Sequence, residues 1–174
     1  ADVVISEIMA SNDQVLLDYH DDSADWIELL NLDETSVDLQ GWYLSDDPTE
    51  LTKWQFPVST VLPPQEYLVV FASNKDFVAP NGELHTNFRL ARRGDYLALV
   101  EPDGTTIAGE VAPRFPEQFP DISYGTFRGI GSTTLVSPLD TAQVLIPQTT
   151  DDLPANWHES AFEPSGWLST STSI

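Results

Sequence analysis

The chain has 174 residues, enough for one full domain and a remainder but short of two ordinary domains. Its 28 acidic side chains against 7 basic ones give a formal net charge of −21, which excludes the Lys/Arg-rich surface on which nucleic-acid binding rests. The absence of cysteine excludes disulfides, thiolate chemistry and Cys-ligated zinc, and no apolar run approaches the roughly 20 residues that a membrane-spanning helix needs.

The charge is uneven. Fourteen acidic residues fall in the first fifty positions, where there is no Lys or Arg. Such a Lys-poor coat keeps a protein dispersed in a salty medium, where screening over roughly 8–10 Å makes the self-repulsion tolerable. A hydrophobic share of 41% with five Trp, five Tyr and eight Phe is that of a folded core. Thirteen Pro, nine Gly and short apolar runs point to an all-β chain. Ala1-Asp2-Val3-Val4 reads as a processed start, and there is no Asn-x-Ser/Thr sequon.

In chain order, strands are expected at Val3–Met9, 26–31, 41–45, 54–56, Tyr67–Ala72, 96–100 and 105–111. Asp25-Trp26-Ile27-Glu28-Leu29-Leu30-Asn31 and Val37-Asp38-Leu39-Gln40-Gly41-Trp42-Tyr43-Leu44 each carry a Trp in a β-type pattern. Tyr67–Ala72 is apolar at every position, as suits a central strand covered on both sides. Pro102-Asp103-Gly104 marks a tight turn between two strands. Seven such strands predict an antiparallel β-sandwich of immunoglobulin type. From about Pro113 the prolines and glycines thicken, so residues 113–140 read as a connector after a domain spanning 1–112. Residues 141–174 read as the opening fragment of a second β domain, with a strand at 143–146 and an aromatic segment at 157–167. That fragment is too small to bury a core alone. Strand addition of 143–146 along a sandwich edge would leave the chain a monomer or a tail-mediated dimer.

The ordered elements Ile5-Ser6-Glu7-Ile8-Met9, Asp25-Trp26-Ile27-Glu28-Leu29, Asp38-Leu39-Gln40-Gly41-Trp42, Trp54-Gln55-Phe56-Pro57, Leu62-Pro63-Pro64-Gln65-Glu66-Tyr67-Leu68-Val69-Val70-Phe71 and Gly94-Asp95-Tyr96-Leu97 resemble the lamin tail domain. That is an immunoglobulin-like sandwich found in nuclear lamins and in bacterial secreted proteins. Gln65 stands where the bacterial members usually carry Gly, which implies a turn of another type. Phe119-Pro120-Asp121-Ile122-Ser123-Tyr124-Gly125 is similar to the stretch that follows the sandwich in bacterial multidomain versions, and 157–167 resembles the opening of a galactose-binding-like jelly roll. The resemblance implies a non-catalytic recognition, anchoring or spacer module of an exported bacterial protein, placed outside the cell. The partner it implies is a protein or a cell-surface polymer, with no membrane insertion.

Catalytic motifs are lacking. His20, His85 and His158 lie far apart, and there is no nucleophile elbow, phosphate loop or His-Glu-x-x-His. Asp18, Asp21, Asp22 and Asp25 form a segment dense enough in hard oxygen ligands to suggest calcium, with Asp46-Asp47-Pro48-Thr49-Glu50 as a second acidic segment able to face it, against the plainer reading of a solvated acidic loop. Arg89, Arg92 and Arg93 are the only basic cluster and suit an anion, unless they pair with Asp95 or Glu83. Trp26, Trp42 and Trp54 would make a sugar-stacking platform if exposed, but their strand context favours the core. A calcium-dependent or carbohydrate-binding module, and an accessory fragment of an enzyme whose catalytic domain lies outside this chain, remain as alternatives.

Overall fold

The computed structural model describes residues 2–125, 141–144 and 167–171. The chain divides into two compact units, Ala1–Arg128 and Gly129–Ile174. The first contains β1 (Val3–Met9), β2 (Asp25–Asn31), β3 (Val37–Asp38), β4 (Tyr43–Ser45), β5 (Trp54–Gln55), β6 (Val61–Leu62), β7 (Tyr67–Ala72), β8 (Phe77–Val78), β9 (Leu84–His85), β10 (Leu97–Val100), β11 (Ile107–Val111) and β12 (Tyr124–Gly125). No helix occurs among the described residues. One sheet has the order β12-β1-β2-β7-β9-β8, the other β11-β10-β4-β5, and β3 pairs with β6 as a separate ribbon. This is an immunoglobulin-like β-sandwich. All seven expected strands are present, and the five that were not expected have two residues each, too few to show an alternating pattern.

The inter-sheet core follows from that alternation. Ile5, Ile8, Ile27, Leu29, Val70 and Ala72 from the larger sheet meet Leu44, Trp54, Leu97 and Leu99 from the smaller, with Trp42, Phe56 and Leu62 among the residues that close the cluster. Trp26 is also buried, but on the opposite face, where it packs with Met9 and Phe71. All three tryptophans expected in the core are therefore covered, and none offers an exposed stacking face.

One pairing departs from the antiparallel expectation. β7 and β9 run parallel, with Val70 opposite Leu84 and Phe71 opposite His85. The cause is the β8–β9 hairpin, closed by Ala79 N–H to Glu83 O (2.8 Å) and Gly82 N–H to Ala79 O (2.9 Å). β8 lies at the sheet edge, and β9 turns back to fill the place beside β7 in the same direction. At the β6–β7 turn, Gln65 has a φ of 57° and so takes the left-handed conformation that Gly favours. Its side-chain Nε2–H donates to Leu32 O (2.7 Å) and Asp33 O (3.2 Å), which holds it there. The β10–β11 turn is as expected. Gly104 has a positive φ of 71°, and Asp103 accepts from the Thr105 and Thr106 amides at 2.9 and 2.7 Å.

The sandwich does not end at residue 112. Phe115 lies in the core with no exposure, Phe115 N–H donates to Asp95 O (2.9 Å), and Gln118 Oε1 accepts from Ala10 N–H (2.6 Å). β12 then pairs with β1, Glu7 opposite Gly125 and Ile8 opposite Tyr124. Residues 113–125, read from their prolines as connector, are thus a structural edge of the domain; proline removes a ladder donor without preventing the segment from packing. The rest of that connector, 126–140, lies outside the described residues.

In the second unit, β13 (Thr141–Val144) pairs antiparallel with β14 (Leu168–Ser171), Gln143 opposite Ser169. The expected strand at 143–146 is seen from Thr141 to Val144 and pairs within its own unit, while residues 145 and 146 lie outside the described residues. Most of the aromatic segment at 157–167 lies outside the described residues.

Two pairs of substitutions test this architecture. A Cβ at Gly94, whose φ is 98°, would lie 2.1 Å from Phe115 O. Gly82 has a similar φ of 93° with nothing within 4 Å. Gly94→Ala should therefore lower the melting temperature well beyond Gly82→Ala, since both share the backbone strain and only one adds the clash; each costs more than about 1 kcal/mol. Equal losses would remove the Gly94–Phe115 contact as a determinant. Phe115→Ala and Trp42→Ala should each cost about 3–5 kcal/mol by chemical denaturation. A Phe115→Ala protein as stable as wild type would restore a domain boundary at 112.

Candidate functional site

Residues 10–24 connect β1 to β2 and lie over the outer face of the larger sheet, where Leu16 and Ala24 pack on Met9, Trp26 and Phe71. Asn12 is the frame of this loop. Its Nδ2 donates to Leu16 O (2.5 Å) and Ala24 O (2.8 Å), while Oδ1 accepts from the Val15 and Leu16 amides at 3.1 and 3.2 Å. A buried Asn with its hydrogen bonds met on both sides fixes the chain on either side of it.

Asp18 closes the loop tip. Its Oδ1 accepts from His20 N–H (2.8 Å) and Asp22 N–H (3.2 Å), and its Oδ2 receives the Lys75 ammonium. Lys75 also bonds Asp22 Oδ2 at 2.7 Å. Burial pushes the Asp18 carboxyl up, but the Lys75 bond and the two backbone amides outweigh it and hold the group below its ordinary value. The same two aspartates hold Lys75 above its ordinary value against the pull of desolvation. On the far side, Tyr19 N–H donates to Glu83 Oε2 (2.7 Å), which ties the loop to the β8–β9 hairpin.

This arrangement bears on the calcium reading. Asp18 and Asp22 converge, but on a lysine ammonium. Asp21 is exposed with a φ of 61°, and Asp25 stands at the start of β2. No group of three or more His, Asp or Glu side chains placed to hold a metal ion occurs among the described residues. The second acidic segment, 46–50, is occupied separately: Asp46 pairs with Lys53 at 2.6 Å, and Asp47 caps Thr49.

The three arginines do not form one site. Arg89 donates from Nε to Ser73 O (3.2 Å) and lines a pocket of about 300 Å³ together with Asp22, Ser23, Asp25, Ser73 and Lys75. Arg92 and Arg93 line a different depression with Glu117, where Arg92 donates from Nε to Gln118 O (3.1 Å). Neither anticipated partner is taken, because Asp95 accepts from Tyr96 N–H (3.0 Å) and Glu83 is held by the acidic loop. Asp25 is half-buried in the wall of the Arg89 pocket. Desolvation pushes its carboxyl up to about 6, offset in part by the Asn12 amide, 3.4 Å from Oδ1, and by Arg89.

Sequence distance concealed the polar cluster behind this pocket. His85 is in β9 and fully buried, stacked between Phe71 and Phe77 at 5.2 and 4.3 Å between ring centroids. His20 meets the same Phe77 at 5.3 Å. His85 Nδ1 lies 2.9 Å from Ser73 Oγ, and its Nε2 lies 3.8 Å from Glu83 Oε2 with no hydrogen bond. Burial lowers the imidazole below its ordinary value. A general base must reach a proton on the reacting group. Here the ring has no exposed edge, and Ser73 Oγ also accepts from Lys75 N–H (3.3 Å). The serine–histidine contact ties Ser73, just past β7, to β9, and its imidazole is enclosed between two aromatic rings.

A family model described as the Lamin Tail Domain matches residues 1–113. A search among curated proteins gives no match.

The pocket carboxyl has a pH signature. With Asp25 at about 6 in the fold, against an ordinary 3.8, the folded state binds the extra proton between those values. Its charge therefore costs stability above pH 6, and that cost vanishes as the pH falls towards 4. His85 acts oppositely in part of the same window: its lowered value means that stability falls as the pH drops below the ordinary 6.5. A single-site difference separates the two. Asp25→Asn should stabilise the protein at pH 7.5 by about 1 kcal/mol, because solvent screens this partly exposed charge, with the gain shrinking towards zero at pH 4 in urea titrations. A gain independent of pH would place the Asp25 carboxyl at an ordinary value.

Proposed function

Because the chain belongs to the lamin tail domain family, a family of non-enzymatic immunoglobulin-like domains, we propose that it serves as a recognition, anchoring or spacer module of an exported bacterial multidomain protein. The observation that carries the non-catalytic part is the full burial of His85 in its contact with Ser73, the one serine–histidine hydrogen bond among the described residues. The chemistry such a pair performs elsewhere requires an exposed base, and this one is enclosed by aromatic rings. The formal charge of −21 supports a life in a salty medium, where a Lys-poor coat keeps the module soluble. Its partner is a protein or a neutral-to-basic surface polymer, since a polyanion would be repelled.

Sedimentation of the full chain with isolated bacterial cell envelopes tests this. Retention in the pellet that survives protease treatment of the envelopes indicates a polymer, retention lost on protease treatment indicates a protein, and no retention leaves the spacer role. Hydrolysis of ester, peptide or glycoside substrates by the purified chain that disappears in Ser73→Ala would overturn the non-catalytic reading. The expected result is the same background rate in both proteins.

A further inference from the structure

The pocket beneath the acidic loop carries both signs of charge. Lys75 and Arg89 contribute two cations, Asp22 and Asp25 two carboxylates, and Ser23 and Ser73 complete the polar lining. Two of these groups are fixed but under-used. Arg89 is held by its Nε bond to Ser73 O and by a backbone bridge between the same residues, yet its terminal Nη atoms make no ion pair or hydrogen bond with the described residues. Arg89 is exposed, so its fork is hydrated by solvent and free to meet a carboxylate in bidentate geometry. Asp25 is the second such group. One oxygen accepts a long bond from Asn12 N–H, and no cation lies within ion-pair distance of either oxygen among the described residues. Lys75, by contrast, is committed to Asp18 and Asp22.

Sign balance then selects the ligand. A lone anion drawn to Arg89 would meet Asp22 and Asp25, and a lone cation drawn to Asp25 would meet Arg89 and Lys75. A group with a carboxylate and an ammonium a few bonds apart satisfies both open residues at once. We propose that this pocket binds the zwitterionic head of a free α-amino acid, its carboxylate on the Arg89 fork and its ammonium on Asp25. At about 300 Å³ the cavity lies at the lower end of small-molecule sites. Ala24 and Ala72 in its wall favour a small or apolar side chain. The raised position of Asp25 fits the same account, since an ammonium beside it relieves the cost of its buried charge. The ligand has no net charge, so the −21 of the protein neither steers nor repels it, and affinity should vary little with salt.

Calorimetric titration of the full chain at pH 7.5 with L-alanine, and separately with acetate and with methylammonium, tests the proposal. L-Alanine should give saturable heat with a dissociation constant of about 1 mM or tighter, while the two single-charge probes give none at equal concentration. Arg89→Gln and Arg89→Lys should each weaken L-alanine binding at least about tenfold, the Lys variant because it keeps the charge and loses the fork. Asp25→Asn should weaken it comparably, and Arg93→Gln in the other depression should not. The Lys variant and the Asp25→Asn variant decide the matter if Arg89→Gln does not fold. Acetate binding as well as L-alanine would make this a simple anion site, methylammonium binding as well would make it a simple cation site, and no saturable heat would remove the site; each result overturns the proposal.

Discussion

The central strand of the larger sheet is apolar on both faces, and most of the structure answers to that fact. Val70 and Ala72 point into the space between the sheets, where the smaller sheet covers them. Phe71 points the other way with Met9 and Trp26, and nothing in the sheet itself can shelter that side. Leaving such a patch in water would cost roughly 25 cal/mol for each Å² exposed. The cover is the 10–24 loop, whose Leu16 and Ala24 supply the apolar contact. A loop of that length must be ordered against its own entropy, which explains the density of its polar framework: Asn12 inside, Asp18–Lys75 at the tip, and Tyr19 to Glu83 across to the neighbouring hairpin. The pocket is the seam where this cover meets the start of β2 and the end of β7.

The acidic surplus is used more as backbone acceptor than as ion-pair partner. Asp103 takes the Thr105 and Thr106 amides, Asp121 those of Asp13 and Gln14 at 2.7 and 2.9 Å, Asp47 that of Thr49, and Asp38 that of Gln40. Carboxylates that bond nearby amides set turns without needing a cation. With so few Lys and Arg, each basic residue that is placed has a visible local consequence: Lys53 holds Asp46 near the β4–β5 turn, and Lys75 organises the loop tip. A fold of formal charge −21 therefore rests on turn chemistry and two buried faces rather than on a salt-bridge network.

What the sequence disclosed follows from which signals are local. The seven expected strands, the β10–β11 turn and the burial of Trp42 were legible because alternation, tryptophans and turn residues lie within a few positions of one another. The parallel β7–β9 pair was not, since a two-residue strand carries no period. Phe115 was hidden among prolines, and its place in the core depends on Gly94, twenty-one positions earlier, leaving room for the Phe115 carbonyl. The candidate aspartates were found as a cluster, but the residue that decides their chemistry, Lys75, is more than fifty positions away. The arginines were grouped by adjacency, whereas the bend at Ala91–Gly94 sends Arg89 to one depression and Arg92 with Arg93 to another. His85 gave no signal, because burial between two aromatic rings is set by neighbours on β7 and β8.

The position of the seam also says how a ligand there would act on the rest of the molecule. One wall belongs to the loop that must be held down, and the other to the strand end that it protects. Anything that bridges Asp25 and Arg89 joins the start of β2 to the residue that bridges Ser73, and so adds a constraint at the point where the cover leaves the sheet. A ligand that binds only the folded state stabilises it in proportion to the logarithm of its concentration above the dissociation constant. Part of that stabilisation would fall on the loop, whose opening is the local event that exposes Phe71 and Trp26. Occupancy of the pocket and order of the acidic cover are therefore two readings of one equilibrium: amide-exchange protection of Leu16 and Ala24 should rise with ligand as the loop opens less, and that of Leu97 and Leu99, which exchange through global unfolding, should rise by the whole stabilisation.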